Sequence, residues 1–156
     1  MGIALQNRQR TYRLNTERVI QWARQILTLQ KCPEAEVGLC FVNDRRMREY
    51  NRRYRGKDRP TNVLAFCARE GSEAAPRTAR MDHVLGDVVI ALPTLLAEAK
   101  QYGRGDEEHL LILLIHGLLH LLGYDHERSP QEARRMQRRE RRIFKALWSG
   151  PAPTDM

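Results

Sequence analysis

A chain of 156 residues with 42% hydrophobic and 29% charged residues can bury one hydrophobic core and is too apolar to be disordered, so a single domain over 1–156 is expected. Its 27 Lys+Arg against 19 Asp+Glu give a formal charge of +8, which favours a polyanionic partner, nucleic acid ahead of membrane, because surface cations release counterions condensed on phosphate chains; the alternative is that the excess Arg serves solubility alone. Three cysteines without a Cys-x-x-Cys spacing argue against a disulfide framework or a cysteine-built zinc site and fit a reducing cytoplasm, and the longest apolar run, Leu110–Ile115, is far too short to cross a bilayer.

The start, Met1-Gly-Ile-Ala-Leu-Gln-Asn-Arg8, lacks the basic-then-apolar pattern of a secretory signal, so neither signal nor anchor is expected. Val19, Ile20, Ala23, Ile26 and Leu27 recur at helical spacing and predict an amphipathic helix from Thr16, read as its N-cap, to about Gln30. Val37-Gly-Leu-Cys-Phe-Val42 reads as a buried strand, and Asn43 or Asp44 caps a helix to about Tyr54. Arg55-Gly-Lys-Asp-Arg-Pro-Thr61 is an ordered turn leading into a strand over Asn62–Cys67. From about Ala68 to Met81 no periodicity is found, and a mobile loop is expected. Leu85–Leu92 is a third strand, stopped by Pro93, and a short helix runs on to Tyr102-Gly103. Asp106 is expected to cap a long helix that is apolar nearly all round, hence central and buried, and that ends at Gly123. Ser129-Pro-Gln-Glu132 has the form of a capping box opening a last helix with an inward stripe of Ala133, Met136, Ile143, Phe144 and Leu147, and about 149–156 is expected as a flexible tail. Together these predict an α+β fold, a small mixed sheet packed by helices.

The central helix carries the chemistry. In His116-Gly-Leu-Leu-His120-Leu-Leu-Gly123-Tyr-Asp-His126 the first two histidines lie four apart, on one helix face, where both can reach one ion at roughly 2.0–2.1 Å. Gly123 permits the turn that returns His126 as third ligand. Zinc is the expected ion, with its fourth position open to water or substrate. The spacing His-x-x-x-His-x-x-Gly-x-x-His is that of the metzincin proteases, whose general base follows the first His; here that position is Gly117, so protease chemistry lacks its proton acceptor. His109 is read as structural or as a support behind a ligand histidine, and His83 receives no role. Asp125 either orients a ligand imidazole and takes a proton, or forms a turn. Asp87 is read as structural.

Between Asp44 and Arg59 stand eight basic residues, Arg45, Arg46, Arg48, Arg52, Arg53, Arg55, Lys57 and Arg59, against three acidic ones, a density suited to phosphate contact. Arg55, in a turn beside Gly56, is the candidate for bidentate phosphate binding, with Arg52, Arg53, Lys57 and Arg59 as candidate RNA contacts. The last helix is basic outward, through Arg134, Arg135, Arg138, Arg139, Arg141, Arg142 and Lys145, for which solvation and RNA docking remain equal readings. No aromatic interleaving for base stacking is read here.

The histidine motif, together with Tyr54-Arg-Gly-Lys-Asp-Arg-Pro-Thr-Asn-Val-Leu64 and Leu85-Gly-Asp87, resembles the bacterial YbeY endoribonucleases. The resemblance implies a zinc-dependent, single-strand-specific endoribonuclease of ribosomal RNA processing, notably maturation of the 16S 3′ end, and of ribosome quality control. It implies one Zn2+ on His116, His120 and His126, a functional arginine at Arg55, and ribosomal RNA, the small subunit and ribosome-associated proteins as cytoplasmic partners. The family's Val-Leu-Ser-Phe-Pro is here Val63-Leu-Ala65-Phe-Cys67, so no serine hydroxyl is available there. In the enzyme reading the metal supplies hydroxide or polarises a phosphoryl oxygen. A non-catalytic assembly factor with a structural metal is the alternative, and a metalloprotease-like hydrolase the third reading.

Overall fold

Side chains alternate across a strand, so each strand of a sheet divides its residues between the two faces. The computed structural model, which describes residues 2–68 and 83–150, shows that division in every strand. The elements in order are β1 (Ile3–Asn7), α1 (Thr16–Leu29), β2 (Glu36–Val42), α2 (Asp44–Arg55), β3 (Val63–Cys67), β4 (Val84–Ala91), α3 (Leu92–Gln101), α4 (Asp106–Leu121) and α5 (Pro130–Leu147). The strands form one sheet in the order β1-β2-β4-β3. β1 and β2, and β2 and β4, are parallel, while β3 runs antiparallel to β4 along one edge. The architecture is α+β, as the pattern of elements leads one to expect.

Val37, Leu39 and Phe41 of β2 and Val88 and Ile90 of β4 face the main core with α1, α4 and α5. Val42, Leu64, Val89 and Ala91 face the other way and meet Met47 of α2. α4 is the centre of the main core: Leu111, Leu114, Ile115, Leu118 and Leu119 have no exposed surface, and the helix touches α1, α3, α5, β3 and β4. At roughly 2 kcal/mol for each fully buried Leu or Ile, burial rather than helix propensity holds α4 in place.

The structure departs from the sequence reading at four places. The N-terminal Ile3–Asn7 is a strand, pairing Ile3 with Val37 through Asn7 with Phe41; only Ile3 and Leu5 point inward, too short an alternation to stand out in the sequence. α1 is capped by Asn15, whose side chain accepts the Arg18 N–H at 3.2 Å, and Thr16 is already helical; Trp22 joins the buried stripe while Ile20 is half-buried. α3 begins directly at Leu92, so Pro93 sits in its first turn, where a missing N–H leaves no helical bond unmade. Gly105, not Asp106, is the N-cap of α4; its N–H donates to Glu108 Oε1 at 3.3 Å. Ser129 caps α5 as expected, its Oγ accepting the Glu132 N–H at 3.1 Å. Nearly all of the segment expected as a mobile loop, and residues 151–156 of the expected tail, lie outside the described residues.

Candidate metal centre and its cleft

His116 and His120 stand one turn apart on α4. The helix then stops at Gly123, whose φ of +101° lies in the region other residues avoid, and whose N–H donates to His120 O at 3.1 Å. The chain turns back and delivers His126. One ligand atom from each of His116, His120 and His126 lies within 4.8 Å of the others, and the ring centroids form a near-equilateral triangle of 5.5, 5.2 and 5.5 Å. A tetrahedral zinc bonded to nitrogens at about 2.05 Å requires them about 3.3 Å apart. Small rotations of half-buried His116 and His120 and exposed His126 can close that difference, so the donor set fits a metal ion.

Two further observations suit the imidazoles to that role. Burial, and after it the neighbouring His116 and His126, hold the His120 pKa below the ordinary imidazole value; the neutral ring is the form that binds metal. His116 Nδ1 lies 2.9 Å from Glu140 Oε2 of α5, which directs the proton to Nδ1 and leaves Nε2 for the ion. Glu140 was not singled out from the sequence. Its signal was there: between Ala133 and Leu147 it is the one acid in a helix otherwise studded with Arg.

Gly117 has a packing reason. A Cβ placed on it would come within 2.6 Å of Val88 Cγ1 and 3.3 Å of Val63 Cγ2, so the sheet occupies the space in which a side chain at that position would begin. The place where the protease motif carries its base is closed here by the core.

Lining a cleft of about 250 Å3 together with the histidines are Asn51, Arg55, Lys57 and Arg59. Arg55 is the last residue of α2 rather than part of the turn expected for it, and the turn that follows, carrying Lys57 and Arg59, is pinned to the helix. Gly56, at φ +68°, caps the helix in the left-handed region. Buried Asn51 donates from Nδ2 to Arg59 O at 2.8 Å, and Arg48 pairs with Asp58 through bonds of 2.7 and 3.1 Å. The bond from Arg48 is the first reason the Asp58 carboxyl sits below its ordinary pKa. Arg52 and Arg53 are exposed on the last turn of α2, outside the cleft lining. Larger cavities, of about 570 and 740 Å3, open elsewhere, but neither is lined by this histidine triad.

Asp125 accepts the Glu127 N–H on Oδ1 at 2.9 Å and has its Oδ2 4.0 Å from Arg128 Nε. Those contacts serve the turn in the loop that carries His126, and the Asp125 charge also acts on His120, opposing the causes that lower its pKa. Buried His109 lies two turns before His116 on α4, with Nε2 3.0 Å from Glu98 Oε1. Asp87 is exposed on β4, its carboxylate lying against Gly38 of β2. His83 is exposed just before β4. Cys67, at the end of β3, has its Sγ 3.8 Å from His120 O.

The family model described as "Endoribonuclease YbeY" matches residues 4–148. The chain is 43% identical over 148 residues to Endoribonuclease YbeY of Geobacter metallireducens, covering 94% of this chain and 96% of that protein. It is 40% identical over 143 residues to the protein of that name from Syntrophotalea carbinolica, covering 91% and 93%. Among solved structures, the solution structure of TM1509 from Thermotoga maritima superposes with a TM-score of 0.65, covering 99% of both chains at 22% identity, a likeness of fold.

Proposed function

The chain belongs to the YbeY endoribonuclease family, and from that premise we propose that it is a zinc-dependent endoribonuclease that cuts single-stranded RNA in the processing of ribosomal RNA. The observation that carries the reading is one cleft lined both by the three imidazoles and by Arg55, Lys57 and Arg59, with Glu127 as its one acid. An ion-binding group thereby shares with a phosphate-binding group a space that a nucleotide backbone can enter.

His116, His120 and His126 would hold one zinc ion. When bound, it would supply Lewis acidity toward a phosphoryl oxygen or a water. The protein's own part is to place the phosphate. Arg55 offers a planar fork that grips two phosphate oxygens and stabilises negative charge growing on them. Lys57 and Arg59 hold the neighbouring phosphates, and Arg52 and Arg53, outside the cleft, draw the strand toward it. Asp125 acts by fixing the turn that delivers His126, and Asn51 by fixing the turn that delivers Lys57 and Arg59. The proposed partners are ribosomal RNA, with the 16S 3′ end foremost, the small subunit and its associated proteins, in the cytoplasm. The charge of +8 and the basic outer surface of α5 support a polyanionic partner, and no described helix is long and apolar enough to cross a membrane.

The test is zinc content together with cleavage of a ribosomal RNA fragment by wild type, His120→Ala and Arg55→Ala. His120→Ala is expected to lose both zinc and cutting, and Arg55→Ala to keep zinc and lose cutting. Equal cutting by all three preparations would sink the nuclease assignment. Normal ribosomal RNA processing with His116→Ala would instead favour an assembly factor with a structural metal. A 2′-deoxy residue at the scissile position separates attack by water from attack by the ribose: a substrate still cut shows that the 2′-hydroxyl is not the nucleophile.

A further inference from the structure

Tyr54 and Arg55 are consecutive at the end of α2, and Ala65 and Phe66 are consecutive on β3, yet each pair divides between two surfaces. Arg55 and Ala65 line the metal cleft, whereas Tyr54 and Phe66, with Tyr50 and Arg8, line a separate hollow of about 380 Å3 on the far face of the sheet. The edge strand β3 and the last turn of α2 thus contribute neighbouring residues to both, so a chain held in one can continue into the other.

Tyr54, at 58% exposure, is the most exposed large hydrophobic side chain among the described residues. It is nonetheless held in place: Phe66 meets it edge-on, with centroids 5.2 Å apart and planes at 71°, and Tyr50 stacks beside it at 6.3 Å and 26°. A fixed aromatic ring beside a phosphate-binding arginine is the arrangement that takes an unpaired base, because stacking needs a flat partner whose orientation is already set. Arg8 adds a cation to the hollow, and Asp87, its one carboxylate, offers an acceptor to an exocyclic amino group.

We propose that Tyr54, backed by Phe66 and Tyr50, is the stacking platform for an unpaired base of the RNA whose phosphate is held at Arg55. The inference rests on the RNA reading above and deepens it: a base can lie on Tyr54 only when it has left a duplex, so the preference for single strands has a source in this ring.

The test compares initial rates of the zinc-loaded wild type, Tyr54→Ala, Tyr54→Leu and Tyr54→Phe on a short single-stranded RNA. Tyr54→Ala and Tyr54→Leu are expected to raise KM about tenfold, the loss of one stacked base, with kcat and zinc content within about twofold of wild type, while Tyr54→Phe stays near wild type. The salt dependence of KM should be unchanged in Tyr54→Ala but shallower in Arg8→Ala, because only the second removes a cation near phosphate. Taking the base from one nucleotide at a time should raise the wild-type KM at one position and leave Tyr54→Ala indifferent there. Wild-type cutting with an unchanged KM for Tyr54→Ala, or a Tyr54→Phe as weak as Tyr54→Ala, would overturn the stacking role alone. A wild type that cuts no RNA would overturn the nuclease reading and take this inference with it.

Discussion

Removing the carboxylate behind His116 should weaken metal binding without unfolding the protein. Glu140 Oε2 accepts from His116 Nδ1 at 2.9 Å, with side-chain exposures of 28% for the histidine and 20% for the glutamate. Hydrogen bonds to a charged group are worth about 1.5–3 kcal/mol when shielded, and losing such a partner of a metal-bound histidine typically lowers affinity about 10–100-fold. Because both groups keep some contact with water, the lower part of that range applies, and Glu140→Ala should bind zinc about 10–30-fold more weakly. In Glu140→Gln an amide oxygen can still accept from Nδ1 but carries no full charge, so about threefold is expected. Competitive titration against a chromophoric chelator at fixed pH measures both, and circular dichroism checks the fold. Cutting by Glu140→Ala should recover at saturating zinc. An affinity within twofold of wild type would refute the orienting role, and a cutting defect that survives saturation would place Glu140's effect elsewhere.

Other perturbations test other parts of the site. Gly117→Ala forces a methyl against Val88 and Val63 and should lower stability by about 1–3 kcal/mol; an unchanged urea midpoint would mean that the sheet gives way easily. Asn51→Ala removes the 2.8 Å bond to Arg59 O from a buried position and should raise KM for RNA several-fold, roughly the loss of one buried hydrogen bond, with zinc content intact; a lost zinc site would contradict the division of labour between the histidines and the cations. The depressed His120 pKa means that, between its folded value and the ordinary imidazole value, the unfolded chain binds more protons than the folded one. Stability of the metal-free protein should therefore fall as pH drops through that window. Urea midpoints across pH 5 to 8 should slope less in His120→Gln than in wild type, and parallel curves would refute the assignment.

What could be read from the chain followed from how local each signal was. The three histidines and Gly123 lie within eleven consecutive residues, so helix periodicity and one glycine were enough to bring them together. Asn15 and Thr16 are both capping residue types and adjacent, and nothing local chooses between them. β1 escaped notice because its order comes from pairing with β2, some thirty residues on, rather than from its own brief alternation. The aromatic hollow escaped for a similar reason: Tyr50 and Tyr54 share a helix face, but Phe66 meets them only once β3 has taken its place at the sheet edge.

Glu140 shows how a distant partner can still leave a trace. It stands 24 residues from His116, and no spacing rule connects them. Yet α5 answers two demands at once, keeping most of its surface basic while sending one side chain back to α4. On a solvated basic helix any position could exchange for another, whereas an acid facing a ligand imidazole could not, since a cation there would repel the metal and leave Nδ1 without an acceptor. In such a helix the residue that breaks the charge pattern carries the information, and here it points at the metal.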